Sequence, residues 1–518
     1  MKQFLILLFS LFFMLPIFAL SYILFKDNSL REYVSIKLKH FTKNDLSKAF
    51  IFNKNQFNKS VTEIEIILSD SSISLLEGQI YKKLNSKNNQ NFGKSNWKYV
   101  KSIIINEYGD SLRAKVRIRG DMPSNFNNGI KNATLRVNLK DGVCFGKTKF
   151  SLIRPILENH GFYGFLYYTF MKEENKILAN DFKFIKLKNN SRENGIYIFQ
   201  EAFSSELYNN YSDGIIFKTH NDCYDKNGEY NPNKNPKISP YEYNKISKNQ
   251  PKKIILGTAV EKYHLMNIGK TTVDSVLDVK KYAYFVASND LFAGHHSHFC
   301  QNIRLFYNAN SNFFEPIAWD PNNFARFLLA EQTNKLNVND GFNDFFYEIC
   351  TSETQYPIYR KLLNSEQFLY YYSLELFNLS HYNKIDEFIE KKINIIKSIE
   401  PALFRQNFQS TFDISLIKKR IDKVKKNSKK SSNINSLITY KDSLLNIELS
   451  SNNLFPLHVV SVSFNSDTIL LNQTLFGGPL SFSLRKTGLS TNSLKYKINY
   501  KFLHSFKQLN DSGYLVIK

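Results

Sequence analysis

The chain has 518 residues, enough for about two or three domains, and its 45 Phe and 30 Tyr exclude disorder over most of its length. Its formal net charge of +23 favours anionic partners, either nucleic acid or anionic lipids, glycans and phosphorylated ligands. No zinc-finger, RNA-recognition or helix-turn-helix signature occurs, so we expect no nucleic-acid partner.

Residues 4–25 form the first distinct segment, which is apolar apart from small hydroxyls, one Tyr and Pro16. A helix needs about 20 such residues to cross a bilayer, and Lys2 before them suits a cytoplasmic N-terminus. We therefore predict a signal anchor over 1–31, a transmembrane helix that holds the bulk of the chain outside the cytoplasm, on a bacterial envelope. A cleaved signal peptide, which would leave a secreted protein, is the alternative.

A polar lead-in segment, 32–98, follows and contains one alternating strand at 61–68. Strand signals then crowd together, and their spacing predicts an antiparallel sheet from 100–105, 111–118 and 133–139. Further strands are predicted at 182–187, 195–199 and 214–218, and helices at 163–174, 276–291 and 364–400. Residues 219–252 lack periodicity, which predicts a long loop or lid.

The C-terminal part changes character. The basic run at 418–430 predicts a solvated helix end or linker, with contact to a membrane surface as the alternative. From residue 436 onward, short strands separated by glycines predict a separate β-sandwich of roughly 80 residues, 436–518.

The segment 292–324 carries the densest group of candidate site residues. His295, His296 and His298 precede a strand at 303–307, a turn, a second strand at 313–317 and a second polar loop. In a hairpin, the residue before the first strand and the residue after the second lie at the same end, so Asn302 and Asp320 should be neighbours. An amide oxygen beside a carboxylate suits Mg²⁺ when phosphate oxygens complete its shell. An ordinary hairpin with polar ends is the alternative.

Several segments in order resemble the CotH-like family, named for the spore-coat protein kinase CotH. They are VRIRG (116–120), ATLRVNLKDG (133–142), FGKTKFSLIRP (145–155), NGIYIFQEAF (194–203), DGIIFK (213–218) and the pair Trp319-Asp320. The resemblance covers about 60–330 and is closest to a membrane-anchored bacterial branch, a likeness carried by His295, His298, Asn302, Arg304, Tyr307, Glu315 and Asp320.

The resemblance implies an α+β, atypical protein-kinase-like fold over 99–435, with a sheet-rich N-lobe and a helical C-lobe that hold ATP between them. It implies that Asp320 binds metal, that Asn302 is the asparagine of the catalytic loop and that Glu201 lies near the nucleotide. The residues themselves add that Arg117 and Arg119 share one strand face, with Arg136 on or beside the next strand. Guanidinium groups there would bind phosphates, unless they are solvent-facing basic residues on an open sheet.

The sequence departs from the family pattern in one important place. Active members carry an aspartate in the loop before the asparagine, whereas 294–302 contains no carboxylate. His298 or His296 would take the role of that base, or the loop no longer catalyses. Three histidines near a carboxylate also raise Zn²⁺ as a minority alternative.

Three hypotheses for the function therefore stay open, and they differ in whether the protein is an enzyme. The first is an envelope kinase that uses ATP with Mg²⁺ or Mn²⁺ and phosphorylates a protein or a glycan. The second is a catalytically inactive kinase-like module that acts in the assembly of a surface polymer or coat. A third hypothesis, a metal-dependent enzyme built on the histidines, follows from the zinc alternative.

Overall fold

The structure is a computed structural model. It describes residues 61–85, 97–120, 125–126, 129–155, 161–220, 237–298, 302–321, 357–407, 414–429, 434–441, 444–451, 455–464, 467–476, 480–485, 493–502 and 508–516. The chain divides into two compact units, one formed by 1–60 with 397–411 and the other by 61–396 with 412–518. The candidate site lies in the second unit.

The elements of the first half alternate between strands and a few helices. In chain order they are β1 (Thr62–Ile67), α1 (Asp70–Leu84), β2 (Val100–Ile105), β3 (Ser111–Ile118), β4 (Leu135–Leu139), β5 (Lys149–Ile153), α2 (Phe162–Glu174), β6 (Leu178–Ala179), β7 (Phe182–Asn189), β8 (Arg192–Glu201) and β9 (Gly214–Thr219).

The second half begins with helices and ends with strands alone. It contains β10 (Ile238–Pro240), α3 (Tyr243–Ile246), α4 (Gln250–Asn267), α5 (Val279–Phe292), β11 (Arg304–Asn308), β12 (Phe313–Ala318), α6 (Pro357–Leu363), α7 (Glu366–His381), α8 (Lys384–Asn407), α9 (Ser415–Lys429), β13 (Ile434–Lys441), β14 (Leu444–Ser451), β15 (Leu457–Phe464), β16 (Asp467–Leu475), β17 (Leu480–Arg485), β18 (Ser493–Phe502) and β19 (Gln508–Val516).

Seven strands close into a barrel in the order β1-β2-β3-β4-β5-β8-β7. Alternation along each strand sends one set of side chains inward, as in β3, where Val116 and Ile118 are fully buried. Val137, Phe150 and Phe199 join them in the same apolar core. Closure occurs because β1 pairs antiparallel with β2 and parallel with β7, so neither edge of the sheet is left unpaired.

This barrel corrects the predicted fold class. The prediction of an α+β kinase-like fold with a sheet-rich N-lobe, a helical C-lobe, a transmembrane helix and a C-terminal β-sandwich is wrong as stated. The strand at 62–67 lies in the predicted lead-in segment. It closes the sheet into a barrel within a mixed α/β fold. Alternation reveals which face of a strand is buried, but it does not reveal which strand lies at each edge.

The predicted transmembrane helix, residues 4–25, lies outside the described residues. None of the helices in the part of the chain that the structure describes is long and apolar enough to cross a membrane.

A second sheet, ordered β10-β9-β11-β12-β6, carries the predicted hairpin. Its strands β11 and β12 pair antiparallel, with Leu305 opposite Pro316, and β12 continues the sheet by a parallel pairing with β6. Helix α5 packs against β12 and against α7 and α9. The hydroxyl of Tyr372 on α7 donates to Asp290 Oδ2 of α5 at 2.6 Å, which fixes the two helices together.

The segment predicted as a long loop, 219–252, is partly regular. Residues 221–236 lie outside the described residues, but β10, α3 and the start of α4 occupy much of the remainder. The C-terminal strands form two antiparallel sheets, β13-β14-β17 and β16-β15-β18-β19.

Candidate active site

A row of polar side chains crosses four strands on the outside of the barrel. Arg117 of β3 pairs with Arg136 of β4, Arg136 with Ser151 of β5, and Ser151 with Gln200 of β8. The residues next to them along each strand point into the barrel core, so the row lies on the opposite face. Ser151 and Gln200 are nevertheless buried, which shows that other elements cover this end of the row.

The row begins with a cluster of three arginines. Arg117 lies over the ring of Tyr99 at 5.4 Å, and Arg119 lies over the ring of Trp319 at 6.0 Å. Burial, followed by the charges of Arg119 and Arg117, lowers the pKa of Arg136 to about 9. The cluster therefore carries mutually repelling positive charge, and a bound anion such as a phosphate would relieve the repulsion.

Gly120 shapes the end of β3 beside these arginines. Its φ of +91° belongs to the left-handed region, and a Cβ placed there would lie 2.5 Å from the side chain of Asn125. Its carbonyl accepts a hydrogen bond of 3.0 Å from the indole of Trp97. A side chain at this position would strain the turn that sets the direction of Arg119.

The His-rich segment follows α5 and folds back sharply against the end of that helix. The helix ends at Ala293, whose φ is +52°, and the N–H of Gly294 donates to the carbonyl of Asn289 at 2.8 Å. A Cβ at Gly294 would lie only 2.4 Å from Asn289 Oδ1, so glycine permits this close approach. The 3₁₀ helix His295–His298 follows directly and presents His296 to the end of the hairpin.

The hairpin brings Asn302 and Asp320 to one end, where both contact His296. Asp320 Oδ2 lies 2.9 Å from His296 Nδ1, and Asn302 Nδ2 lies 3.2 Å from the same nitrogen. Asn302 Nδ2 also donates to the carbonyl of His296 at 3.1 Å. The backbone N–H of Asp320 donates to the hydroxyl of Tyr168 at 2.8 Å, although the residue holds a left-handed φ of +50°.

Two connections join the arginine row to Asp320. Trp319, the residue before Asp320, contacts Arg119 from the barrel and lies 5.7 Å from the guanidinium of Arg304. Gln200, at the other end of the row, lies 3.4 Å from the same Tyr168 hydroxyl that accepts the Asp320 N–H. These contacts bring the three arginines, Gln200 and the hairpin end together between the barrel and the second sheet, a region called the cleft below.

This region lies within a recognised protein family. Residues 116–442, well over half of the chain, match the family model described as CotH kinase protein. The chain belongs to the CotH family. The match contains both the arginine row and the hairpin, and it makes this a kinase-like protein. No curated protein matches the chain.

Glu201, which the resemblance placed near the nucleotide, points the other way from Gln200 in this CotH-family protein. Its Oε1 lies 2.6 Å from Lys147 Nζ, and its Oε2 accepts the N–H of Asp181 at 3.0 Å. Burial raises the pKa of Glu201, while the hydrogen bonds from Lys147 and Asp181 oppose the rise. Neither of these two partners was singled out from the sequence, because no motif marks a pairing across separate strand ends.

The structure separates the roles of the histidines. His298 is 1% exposed, contacts the ring of Tyr359 at 4.5 Å and forms a hydrogen bond through Nδ1 with the Tyr359 hydroxyl. Burial lowers the pKa of His298 to about 3, so the ring is a weak base that suits packing better than proton transfer near neutral pH. The side chain of His296 is 32% exposed and lies at the site itself, and that of His295 lies outside the described residues.

Asp320 and Asn302 form a donor set of the kind that Mg²⁺ accepts together with phosphate oxygens. Within the described residues, no three His, Cys, Asp or Glu side chains are grouped so that they could hold a metal ion alone. Structural zinc takes four protein ligands, whereas Mg²⁺ is bound through one or two carboxylates with phosphate oxygens and water. The Asp320 carboxylate and the Asn302 amide meet the second requirement.

Proposed function

We propose that this CotH-family protein transfers a phosphoryl group from ATP, with Mg²⁺ or Mn²⁺, to a hydroxyl of a protein or glycan. The observation that carries the proposal is the meeting of Asp320, Asn302 and His296 at one end of a hairpin that faces the arginine cluster. Phosphoryl transfer needs cationic groups for the phosphates, ligands for the metal and a residue that orients the acceptor hydroxyl. The cleft supplies candidates for all three.

Each residue has a distinct task in this proposal. Asp320 and Asn302 would hold the metal, and Arg117, Arg119 and Arg136 would hold phosphate oxygens through their guanidinium groups. Bound metal and ATP would supply the phosphoryl group and screen its charge. Tyr168 keeps Asp320 in place through the backbone N–H, at 2.8 Å.

His296 replaces the aspartate that 294–302 lacks. Asp320 Oδ2 lies 2.9 Å from Nδ1, an arrangement that orients the ring. In this proposal Nε2, which lies 3.3 Å from Asn302 Nδ2, accepts the proton of the acceptor hydroxyl. The second hypothesis, a catalytically inactive kinase-like module that acts in the assembly of a surface polymer or coat, requires no phosphoryl transfer.

A thermal-shift experiment on the full-length protein tests the binding step. Its arms are ATP with Mg²⁺, ATP with Mn²⁺, ATP alone, each metal alone and Zn²⁺ alone. We expect stabilisation only when nucleotide and Mg²⁺ or Mn²⁺ are both present, by about 2.7 kcal/mol at 100 times the dissociation constant. A flat response in every arm contradicts the proposal, and a response to Zn²⁺ alone would favour a zinc site at the histidines.

Two variants and a turnover assay sharpen the result. Asp320→Asn should abolish the metal-dependent shift, whereas Asp141→Asn, which removes a carboxylate paired with Arg113 on the barrel surface, should preserve it. Transfer of radiolabel from the γ-phosphate of ATP to the protein itself, to serine peptides and to polysaccharide then separates a kinase from an inactive module. Metal-dependent binding without transfer to any acceptor, in a protein that is otherwise intact, would leave only the inactive module.

A further inference from the structure

The second sheet carries two cationic side chains, called the cation pair below, at the end where Asn302 and Asp320 lie. In the strand register, Arg304 of β11 is opposite Lys218 of β9, and Lys218 is opposite Ser239 of β10. Side chains directly opposite each other on neighbouring strands point to the same face of a sheet, so Arg304 and Lys218 are neighbours. Arg304 comes two residues after Asn302, which places the cation pair beside the end of the hairpin.

Aromatic rings hold both members of the cation pair. The guanidinium of Arg304 lies 5.7 Å from the ring centres of Phe203 and Trp319, and the Nζ of Lys218 lies 6.0 Å from the ring centre of Tyr241. All five residues are partly exposed. A cation–π contact fixes the position of a cation without neutralising its charge. The cation pair therefore brings positive charge and three partly exposed rings to the cleft.

The rings are fixed in turn by an apolar cluster on the same face of the sheet. Two residues further along the strands, Phe306 of β11 lies opposite Ile216 of β9, and both belong to this cluster. Phe203 and Tyr241 pack against it. The cation pair thus lies at the margin of a packed surface, and side chains that are already positioned lose less entropy when they bind a ligand.

The two charges of the cation pair repel each other, because like charges directly opposite on neighbouring strands destabilise a sheet. Glu242 is the acidic residue next to Tyr241 in the chain, and it forms ion pairs with Lys149 and Lys245. An anionic group on a ligand would relieve the repulsion within the cation pair and form charge-assisted hydrogen bonds with it.

The position of the cation pair indicates which ligand carries that anionic group. The barrel has a similar pair, Arg117 opposite Arg136, which the proposed function assigns to the phosphates of ATP. Two separate pairs suit two separate anionic groups. The pair on the second sheet adjoins Asn302, which contacts His296, the base in the proposed function. The acceptor is therefore the ligand that reaches this pair.

The spacing of the strands determines where acidic groups must lie in the acceptor. In the order β9-β11-β12, Arg304 is one strand and Lys218 two strands away from the strand that ends before Asp320. Neighbouring strands are about 4.8 Å apart, so the two cations lie about 5 and 10 Å from β12. An extended peptide advances about 3.3 Å per residue and covers this distance in about three residues. In a polysaccharide a whole sugar ring separates successive charges, so a peptide fits the close spacing better.

We propose that Lys218 and Arg304 select a protein acceptor whose hydroxyl residue has aspartate or glutamate within about three positions of it. The transfer of phosphate to this acceptor rests on the proposed function, but the binding of an acidic peptide does not. Failure of the two proposals is therefore distinguishable: peptide binding is measured without ATP or metal, and the thermal shift with metal and ATP is measured without peptide.

Fluorescence anisotropy on the full-length protein tests the selection. The probes are a labelled serine peptide with three glutamates on each side of the serine and two counterparts that carry glutamine or lysine in place of glutamate. We expect the glutamate peptide to bind about 10-fold more tightly than the glutamine peptide at low salt, and the lysine peptide to bind most weakly. Added salt should reduce this preference, because it screens charges at partly exposed residues.

Substitutions of Lys218 separate selection by charge from a structural effect. Lys218→Met should weaken binding of the glutamate peptide by about 2- to 10-fold and leave the glutamine peptide within about 2-fold of native. Lys218→Arg should retain the preference for glutamate, and Lys218→Glu should move it towards the lysine peptide. A purely structural effect would change the affinity for all three peptides alike.

Lys183→Met is the matched control. Lys183 is also a lysine that lies over a ring, 5.0 Å from the ring centre of Phe145, but it belongs to β7 of the barrel. Its substitution should leave the preference for the glutamate peptide unchanged. Peptides with a single glutamate at each position around the serine then locate the preferred position, and a preference confined to positions more than about three residues away would contradict the spacing argument.

Four results would overturn the proposal. Two of them are equal binding of the glutamate and glutamine peptides, and a preference for glutamate that Lys218→Met leaves intact. The third is tighter binding of polygalacturonate than of the glutamate peptide with sensitivity to Lys218→Met, because it would assign the cation pair to an anionic glycan. The fourth is displacement of the glutamate peptide by ATP with Mg²⁺, which would assign the cation pair to the nucleotide.

Discussion

Tyr168 offers the sharpest test of how the fold positions the site. Its hydroxyl accepts the Asp320 N–H at 2.8 Å and lies 3.4 Å from Gln200 Nε2, and its ring stacks on Phe182 with centroids 5.0 Å apart. Tyr168→Phe removes the hydroxyl and retains the stacked ring. The left-handed backbone of Asp320, at φ +50°, then loses the hydrogen bond that supports it.

The magnitude follows from these contacts. Loss of the hydrogen bond from the Asp320 N–H should lower the free energy of unfolding by about 1 kcal/mol. A left-handed backbone is unfavourable by about 1 to 2 kcal/mol for a residue other than glycine, so Asp320 should relax in the variant. Returning it to the binding geometry would weaken the affinity for ATP with Mg²⁺ by about 5- to 30-fold.

The assay is a titration of ATP at saturating Mg²⁺, with chemical denaturation of the same preparations. Tyr167→Phe is the control, since Tyr167 is an equally buried neighbour on α2 whose hydroxyl lies near Asn289 instead. It should leave the dissociation constant of the nucleotide unchanged. Native-like affinity of Tyr168→Phe, in a variant that has lost about 1 kcal/mol of stability, would refute the claim that this hydroxyl positions Asp320.

Three further outcomes are expected. Arg136→Met should raise the free energy of unfolding of the protein without ligand by about 1 to 3 kcal/mol, because it removes a buried cation whose Nε has no partner among the described residues. The same substitution should weaken nucleotide binding. Chemical denaturation measures the first effect and titration with nucleotide the second, and tighter nucleotide binding would contradict the prediction. Because burial lowers the pKa of His298 to about 3, the unfolded chain binds more protons than the folded protein below pH 6.5. The free energy of unfolding should therefore fall by about 2 kcal/mol between neutral pH and pH 5. His298→Gln should reduce this pH dependence in denaturation experiments, and an unchanged dependence would mean that other groups cause it. Gln200→Ala should chiefly weaken nucleotide binding. Glu201→Gln should chiefly lower the free energy of unfolding, because it disturbs the ion pair with Lys147. The reverse pattern would indicate that Glu201, and not Gln200, contributes to nucleotide binding.

The sequence pattern was sufficient to predict interactions between residues that lie close together in the chain. A hairpin of about fifteen residues brings Asn302 and Asp320 together, and the register of β11 with β12 confirms the predicted pairing. Alternation likewise predicts that Arg117 and Arg119 share a face outside the barrel core. The predicted location outside the cytoplasm, by contrast, stays a prediction.

Contacts between distant segments decided the rest. The rings of Phe285 and Tyr359 pack on His298 and bury it, which makes it a core residue. The sequence of the loop around the histidines does not predict these two contacts. The position of Glu201 depends on Lys147 and Asp181, which reach it from other strand ends.

The amino-acid sequence was sufficient to predict the family, the main strands and helices, and the hairpin that joins Asn302 to Asp320, because motif order, periodicity and turns are all local properties of the chain. The closure of the first sheet into a barrel could not be predicted in this way, since it depends on β1 pairing with β7, more than a hundred residues away. The same long-range packing selected His296 over His298 as the histidine at the site. The burial of a side chain and the pairing of a strand at the edge of a sheet both depend on which distant segments come into contact. The residues of one segment alone do not predict those contacts.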